Sequence, residues 1–243
     1  IMDYLRIKDL CHLSSTDRQN FKRVSEYVYH HCSVCQALLP FFPRDEDFTL
    51  FRELQRTHSI LILGSQALSV FTHETYANSN LNLYVNHYEC DDLNNALECV
   101  GYMVHGSLCP PSLQPSVVCW QSMRDGDTMM LFNDRTHLIA QSKYADKVIA
   151  NVEEFRNGMG AIMQVISLYG PPLDVVLDFH STCVMNVIAH QYAYCLYLKA
   201  TLIANASIAR IGDDDNAIWV QIKYRNRGYQ LLFCNTSTPD LDF

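Results

Sequence analysis

Positive charge is scarce in this chain: 18 Lys and Arg stand against 26 Asp and Glu, a formal net charge of -8 over 243 residues. That balance opposes non-specific binding to a phosphate backbone, which needs clustered cations. Lys143, Lys147, Lys223, Arg225 and Arg227 are too scattered in sequence to define a basic groove. Nucleic acid is therefore not an expected partner. Long apolar runs are missing as well. No stretch approaches the roughly 20 residues that cross a bilayer, so no membrane span is expected. No basic-apolar-small leader is recognisable, and neither internal repeats nor low-complexity tracts occur.

Cysteine is not lacking. There are 10, but the length exceeds that of disulfide-dense scaffolds, and VVCW around Cys119 and STCVMNVI around Cys183 place thiols within apolar runs. They read as reduced, buried small hydrophobes of a cytoplasmic or nuclear protein. A hydrophobic content of 49% and a charged content of 18% describe an ordinary globular chain able to bury a sizeable core.

The first 57 residues carry helical spacing. Met2, Leu5, Leu10 and Leu13 recur on one face, Ser15 or Thr16 is placed to cap a second helix, and Asp45 or Asp47 to cap DFTLFRELQRT. The pattern then changes. SILILG reads as a short strand closed by Gly64, QALSVFT as a helix, and LNLYV as a strand with Asn80 and Asn82 on one face. DDLNNALECVGY is an acidic-capped helix, and residues 105–116 read as a loop. SVVCWQS and TMMLFN read as strands, and DKVIANVEEF and AIMQVISLYG form a hairpin across Asn157 to Gly160. PLDVVLDF is a short helix, and AIWVQIKY and YQLLFCN a final pair across Arg225 to Gly228. The expected fold is α+β: a mixed β-sheet with flanking helices and a helical N-terminal segment.

Within that frame, Gly64, Ser65, Leu68 and Phe71, followed by Ser79, Leu81, Leu83 and Tyr84, resemble the active-site signature of nucleotidyltransferases. There, a Gly-Ser turn at a helix start meets a nucleotide phosphate. Acids at alternate strand positions hold magnesium against it. GSQALSVF…SNLNLYV and FHSTCVMNVI…AYCLYLKATL, spanning roughly residues 55 to 205, further resemble a largely uncharacterised family of mushroom-forming fungi. Its first segment usually reads closer to GSTALQFF…SDLDLYV. The resemblance implies a nucleotidyltransferase-like fold, Gly64 and Ser65 as nucleotide-binding residues, and metal ligands at positions 80 and 82.

This chain has Asn80 and Asn82 there. An amide coordinates through its carbonyl oxygen but brings no charge to offset two cations about 3.5–4 Å apart. The third acid of the superfamily falls on a later strand. Gln164 on MQVISL is the expected equivalent, with Asp174 and Asp178 as alternatives. The resemblance therefore implies a non-catalytic core, residues 45–243, that needs no cofactor. The alternatives are a surviving transferase using magnesium and a nucleoside triphosphate, and a metal-free nucleotide-binding module.

Residues 1–44 form the other expected unit. Leu5, Asp9, Leu10, Leu13, Ser14 and Arg18 resemble the latter part of an F-box, whose usual Leu-Pro-containing start does not precede them here. That implies a Skp-type adaptor as partner for residues 1–31, bound through an amphipathic helical face. A helical cap packed on the sheet domain is the alternative. HHCSVC (His30, His31, Cys32, Cys35) lacks the second ligand pair that structural zinc uses, so Cys32 and Cys35 read as core-facing. His180 and Cys183 lack an oxyanion site and an orienting acid, and read as core. Asp213, Asp214 and Asp215 read as a solvated turn.

Overall fold

The computed structural model describes residues 2, 5, 7–31, 33–72, 74, 76, 79–108, 149–177, 179–209 and 222–233. Four helices come first: α1 (Ile7–Ser14), α2 (Arg18–His31), α3 (Val34–Leu38) and α4 (Asp45–Thr57). Their caps differ from expectation. Asp17, not Ser15 or Thr16, caps α2 by accepting from the Asn20 N–H at 2.8 Å. The Ser15 and Thr16 hydroxyls instead donate back to carbonyls of the last turn of α1. At α4 the capping position falls on Arg44, and Asp47 accepts two hydrogen bonds from its guanidinium at 2.7 and 2.8 Å. Asp45, Glu46 and Asp47 all lie in the first turn, where the helix dipole favours negative charge.

A seven-stranded mixed sheet follows, in the order β3-β4-β5-β2-β1-β6-β7. Its strands are β1 (Leu61–Leu63), β2 (Leu81–Asn86), β3 (Tyr102–Leu108), β4 (Ile149–Asn157), β5 (Ile162–Leu168), β6 (Asn186–Ile188) and β7 (Ala193–Cys195). Only β2 and β5 pair in parallel; the remaining neighbours are antiparallel. Helix α5 (Ser65–Thr72) connects β1 to β2, α6 (Cys90–Cys99) connects β2 to β3, and α7 (Pro172–Leu177) follows β5. The architecture is α+β with a mixed sheet.

Period-2 alternation divides the strand residues between two cores. On one face Ile62, Leu81, Leu83, Val85, Met163 and Val165 pack against α3, α4, α5 and α6. Phe42 and Phe51 stack there with ring centroids 4.5 Å apart, and Tyr102 donates from its hydroxyl to the Phe41 carbonyl at 2.8 Å. Leu38, Phe41 and Phe42 thus belong to the same core as the sheet, so residues before position 45 are built into it. On the other face Leu63, Tyr84, Val152, Ile166 and Val187 pack with Val176 of α7.

The β4–β5 hairpin forms as its Asn-Gly turn implies. The Asn157 side chain accepts from the N–H groups of Met159 (3.0 Å) and Ala161 (2.9 Å), and Gly160 takes φ +84. Two expectations fail. Residues 102–108 continue as β3 where a loop is expected from position 105, because β3 bulges at His105 and its residues on either side, Val104 and Gly106, pair with Phe155 and Glu154 of β4. The expected last hairpin does not form among the described residues: residues 222–226 are helical, and β9 (Gln230–Phe233) pairs in parallel with β8 (Ala206–Ala209). SVVCWQS, TMMLFN, Cys32, Asp178 and the Asp213–Asp215 triplet lie outside the described residues.

Candidate functional site: the Gly64–Ser65 turn and the amide row

Gly64 ends β1 with φ +82, a left-handed backbone that non-glycine residues adopt at a cost. The turn also lies close to β2. A Cβ built on Gly64 would stand 3.4 Å from Asn82 Nδ2. Ser65 then opens α5 and is buried. The chain therefore brings a helix N-terminus, a hydroxyl and the Asn82 amide to one corner of the sheet.

Register completes the row. Asn82 lies opposite Leu63 on β1 and opposite Gln164 on β5, and Gln164 in turn lies opposite Glu154 on β4. Glu154, Gln164 and Asn82 thus occupy adjacent positions on the face that otherwise carries Tyr84, Ile166 and Val152. Gln164 is 2% exposed and Glu154 1%. The Asn82 Oδ1 is buried and accepts no hydrogen bond among the described residues. Glu154 receives the Arg156 Nε at 2.9 Å, with His105 Nδ1 at 3.8 Å.

Glu154 escaped the sequence reading because a Glu153-Glu154 doublet looks solvent-facing. The signal was its parity with Val152, which places it on the inner face. Asn80 departs from expectation in the opposite sense. Strand β2 begins at Leu81, so the pleat does not extend to Asn80; it lines a separate cavity with Gln66 and Ser79, to which Ser65, Asn82 and Gln164 do not contribute. Asp174, the alternative third acid, is exposed in the first turn of α7.

Ser65 has an unforeseen partner. Arg227 donates from Nη1 to Ser65 Oγ at 2.9 Å, and Tyr224 Oη lies 3.4 Å from the same oxygen. The guanidinium carbon sits 3.9 Å from the Tyr76 ring centroid and 5.1 Å from that of Tyr224. Among the described residues no carboxylate pairs with Arg227, and the aromatic faces of Tyr76 and Tyr224 present negative potential to it. Burial pushes the Tyr224 phenol up to about 12, which keeps it a neutral hydrogen-bonding group. Sequence offered no route to this contact, since 162 positions separate its partners.

The other sequence candidates separate cleanly. His30, His31 and Cys35 are exposed, which corrects the core-facing reading of Cys35. Among the described residues no three His, Cys, Asp or Glu are grouped to hold a metal ion. Cys183 is fully buried, and desolvation raises its thiol above the ordinary range, which favours the neutral form. Leu10, central to the F-box resemblance, is 1% exposed, and its helix packs on α2 and on Lys199–Ile203. No helix among the described residues is long and apolar enough to cross a membrane. The chain matches no protein-family model, no curated protein and no solved structure.

Proposed function

We propose that this chain is a non-catalytic binding protein on a nucleotidyltransferase-like core. The observation that carries the reading is the pairing of Asn82 with Gln164 in register beside the Gly64–Ser65 turn. Two neutral amides stand where metal-dependent phosphoryl transfer needs carboxylates, and the neighbouring acid, Glu154, is already engaged by Arg156. This donor set does not fit a pair of magnesium ions, so no transfer step is assigned to it. The test is thermal melting with each of the four common nucleoside triphosphates, with and without magnesium. No magnesium-dependent stabilisation is expected. A magnesium-dependent rise of several degrees would overturn the reading.

One observation favours a metal-free nucleotide as a second reading. Arg227 brings a cation without a described carboxylate partner to Ser65 at the start of α5, where an anion would be favoured. A triphosphate-induced shift that persists in EDTA and disappears in Arg227→Ala is its signature.

The interaction role includes recruitment of a Skp-type adaptor through residues 1–31. It is supported by the exposed rings of Phe21 (60%) and Tyr29 (78%) on α2, and opposed by the inward commitment of Leu10 and Val24. Co-purification with the adaptor, lost in Phe21→Ala with Tyr29→Ala, is the expected outcome. Absence of binding by the intact chain would remove this part of the proposal.

A further inference from the structure

Between the N-terminal helices and the sheet lies a cavity of about 670 Å³, in the size range that encloses a small organic ligand. Its lining is unlike that of the Gly64–Ser65 corner. Three residues with side-chain amides line it, Gln36 on α3, Gln66 on α5 and Asn80 ahead of β2. Gln66 Nε2 donates to the Ser79 carbonyl at 3.3 Å, which fixes its orientation. The amides of Gln36 and Asn80 make no side-chain hydrogen bond among the described residues, so both donors and acceptors remain for a ligand.

Aromatic surface faces the same space. The His31 ring stacks on Tyr27 with centroids 4.2 Å apart, and its Nδ1 lies 2.9 Å from the Tyr27 carbonyl, which leaves Nε2 for a ligand. Tyr76 also lines the cavity, with Arg227 stacked on its ring. Val70 and Ile162 add apolar wall, and the exposed Met159 at the hairpin tip adds an adaptable rim.

Charge narrows the ligand class. No Lys or Arg lines the cavity among the described residues, and its one carboxylate is Glu74. A phosphate would find no cation in the lining, Arg227 lying against the Tyr76 ring without lining the cavity itself, and would face that acid. A neutral planar ring with donors and acceptors on its edge suits every component. Asn and Gln amides form paired hydrogen bonds with base edges, and rings stack on aromatic side chains.

We propose that this cavity binds a nucleobase or nucleoside through the base, without metal and without a phosphate contact. The cavity adjoins the Ser65–Arg227 corner through Tyr76, and its proposal does not rest on that corner taking a nucleotide; Arg227→Ala removes any triphosphate binding at the corner, so nucleoside and triphosphate are compared in that variant as well. The test is isothermal titration of the intact chain with adenosine, guanosine, cytidine and uridine in EDTA, each beside its 5′-triphosphate. At least one nucleoside is expected to bind, with its triphosphate no tighter in the Arg227→Ala chain. Asn80→Leu is expected to weaken binding at least about tenfold, the scale of a lost hydrogen bond in a desolvated site. Ala37→Trp, which fills the space from α3, is expected to abolish it, with the unliganded melting temperature of each variant reporting its folding. No heat with any of the four nucleosides would overturn the proposal. So would binding that both folded variants retain, or a triphosphate that binds the Arg227→Ala chain more tightly than its nucleoside does.

Discussion

At the scale of single residues, Gly64 and the buried cysteines carry checkable consequences. Gly64→Ala would place a Cβ in the left-handed region and 3.4 Å from Asn82 Nδ2. The expected cost is about 1–2 kcal/mol in urea unfolding, the scale of a left-handed non-glycine residue. An unchanged midpoint would show that the turn can relax. The thiols should divide by burial. Cys11, Cys35 and Cys99 are exposed, whereas Cys90 and Cys183 are buried. Desolvation and nearby Glu153 and Asp91 push Cys90 up to about 12. Alkylation at pH 8 followed by mass spectrometry should mark the first three rapidly and the other two only on unfolding. The linkage sign follows from a folded pKa above the unfolded one. The stabilising contribution of the neutral Cys90 thiol is complete below about pH 9 and is lost as pH rises toward 12. A Cys90→Ala chain should therefore lose less stability than the parent across that window.

Elements were legible where the signal was local. The β4–β5 hairpin follows from Asn157-Gly158, and the caging of two N–H groups by Asn157 explains why. Asn157→Ala should destabilise the chain by about 1–2 kcal/mol in chemical denaturation, the scale of two turn hydrogen bonds. A cost under a few tenths would mean that the strands alone set the turn. The start of α5 was equally readable, because Gly64 closes an apolar run and a helical period follows. Pairing between distant segments was not readable. Strand β9 resembles the second arm of a hairpin, yet it joins β8 in parallel from 24 positions away, since residues 222–226 turn helical and carry the chain past the expected partner. The caps lie one to three residues from the expected ones: the Ser15 and Thr16 hydroxyls donate back to carbonyls of α1 while Asp17 caps α2, and Arg44 precedes the acidic first turn of α4.

For the whole molecule, the sequence located the Gly64–Ser65 turn and the Asn82 and Gln164 positions, and the sheet register places those two amides side by side. What it could not supply was the surrounding contact set. Glu154, Arg156 and His105 arrive from strands β3 and β4, and Arg227 reaches Ser65 from the far end of the chain. It also placed Asn80 with Asn82, whereas the strand start separates them and turns Asn80 toward the cavity beside α3. The central claim is that neutral amides at Asn82 and Gln164 deny this corner a magnesium site. Neighbouring strands lie about 4.8 Å apart, so carboxylates at both positions could share one cation. Magnesium titrated calorimetrically into the wild-type chain and into an Asn82→Asp, Gln164→Asp variant measures this directly. Silence is expected from the wild type and saturable binding from the variant. Magnesium uptake by the wild type equal to that of the variant, or silence from both, would contradict it.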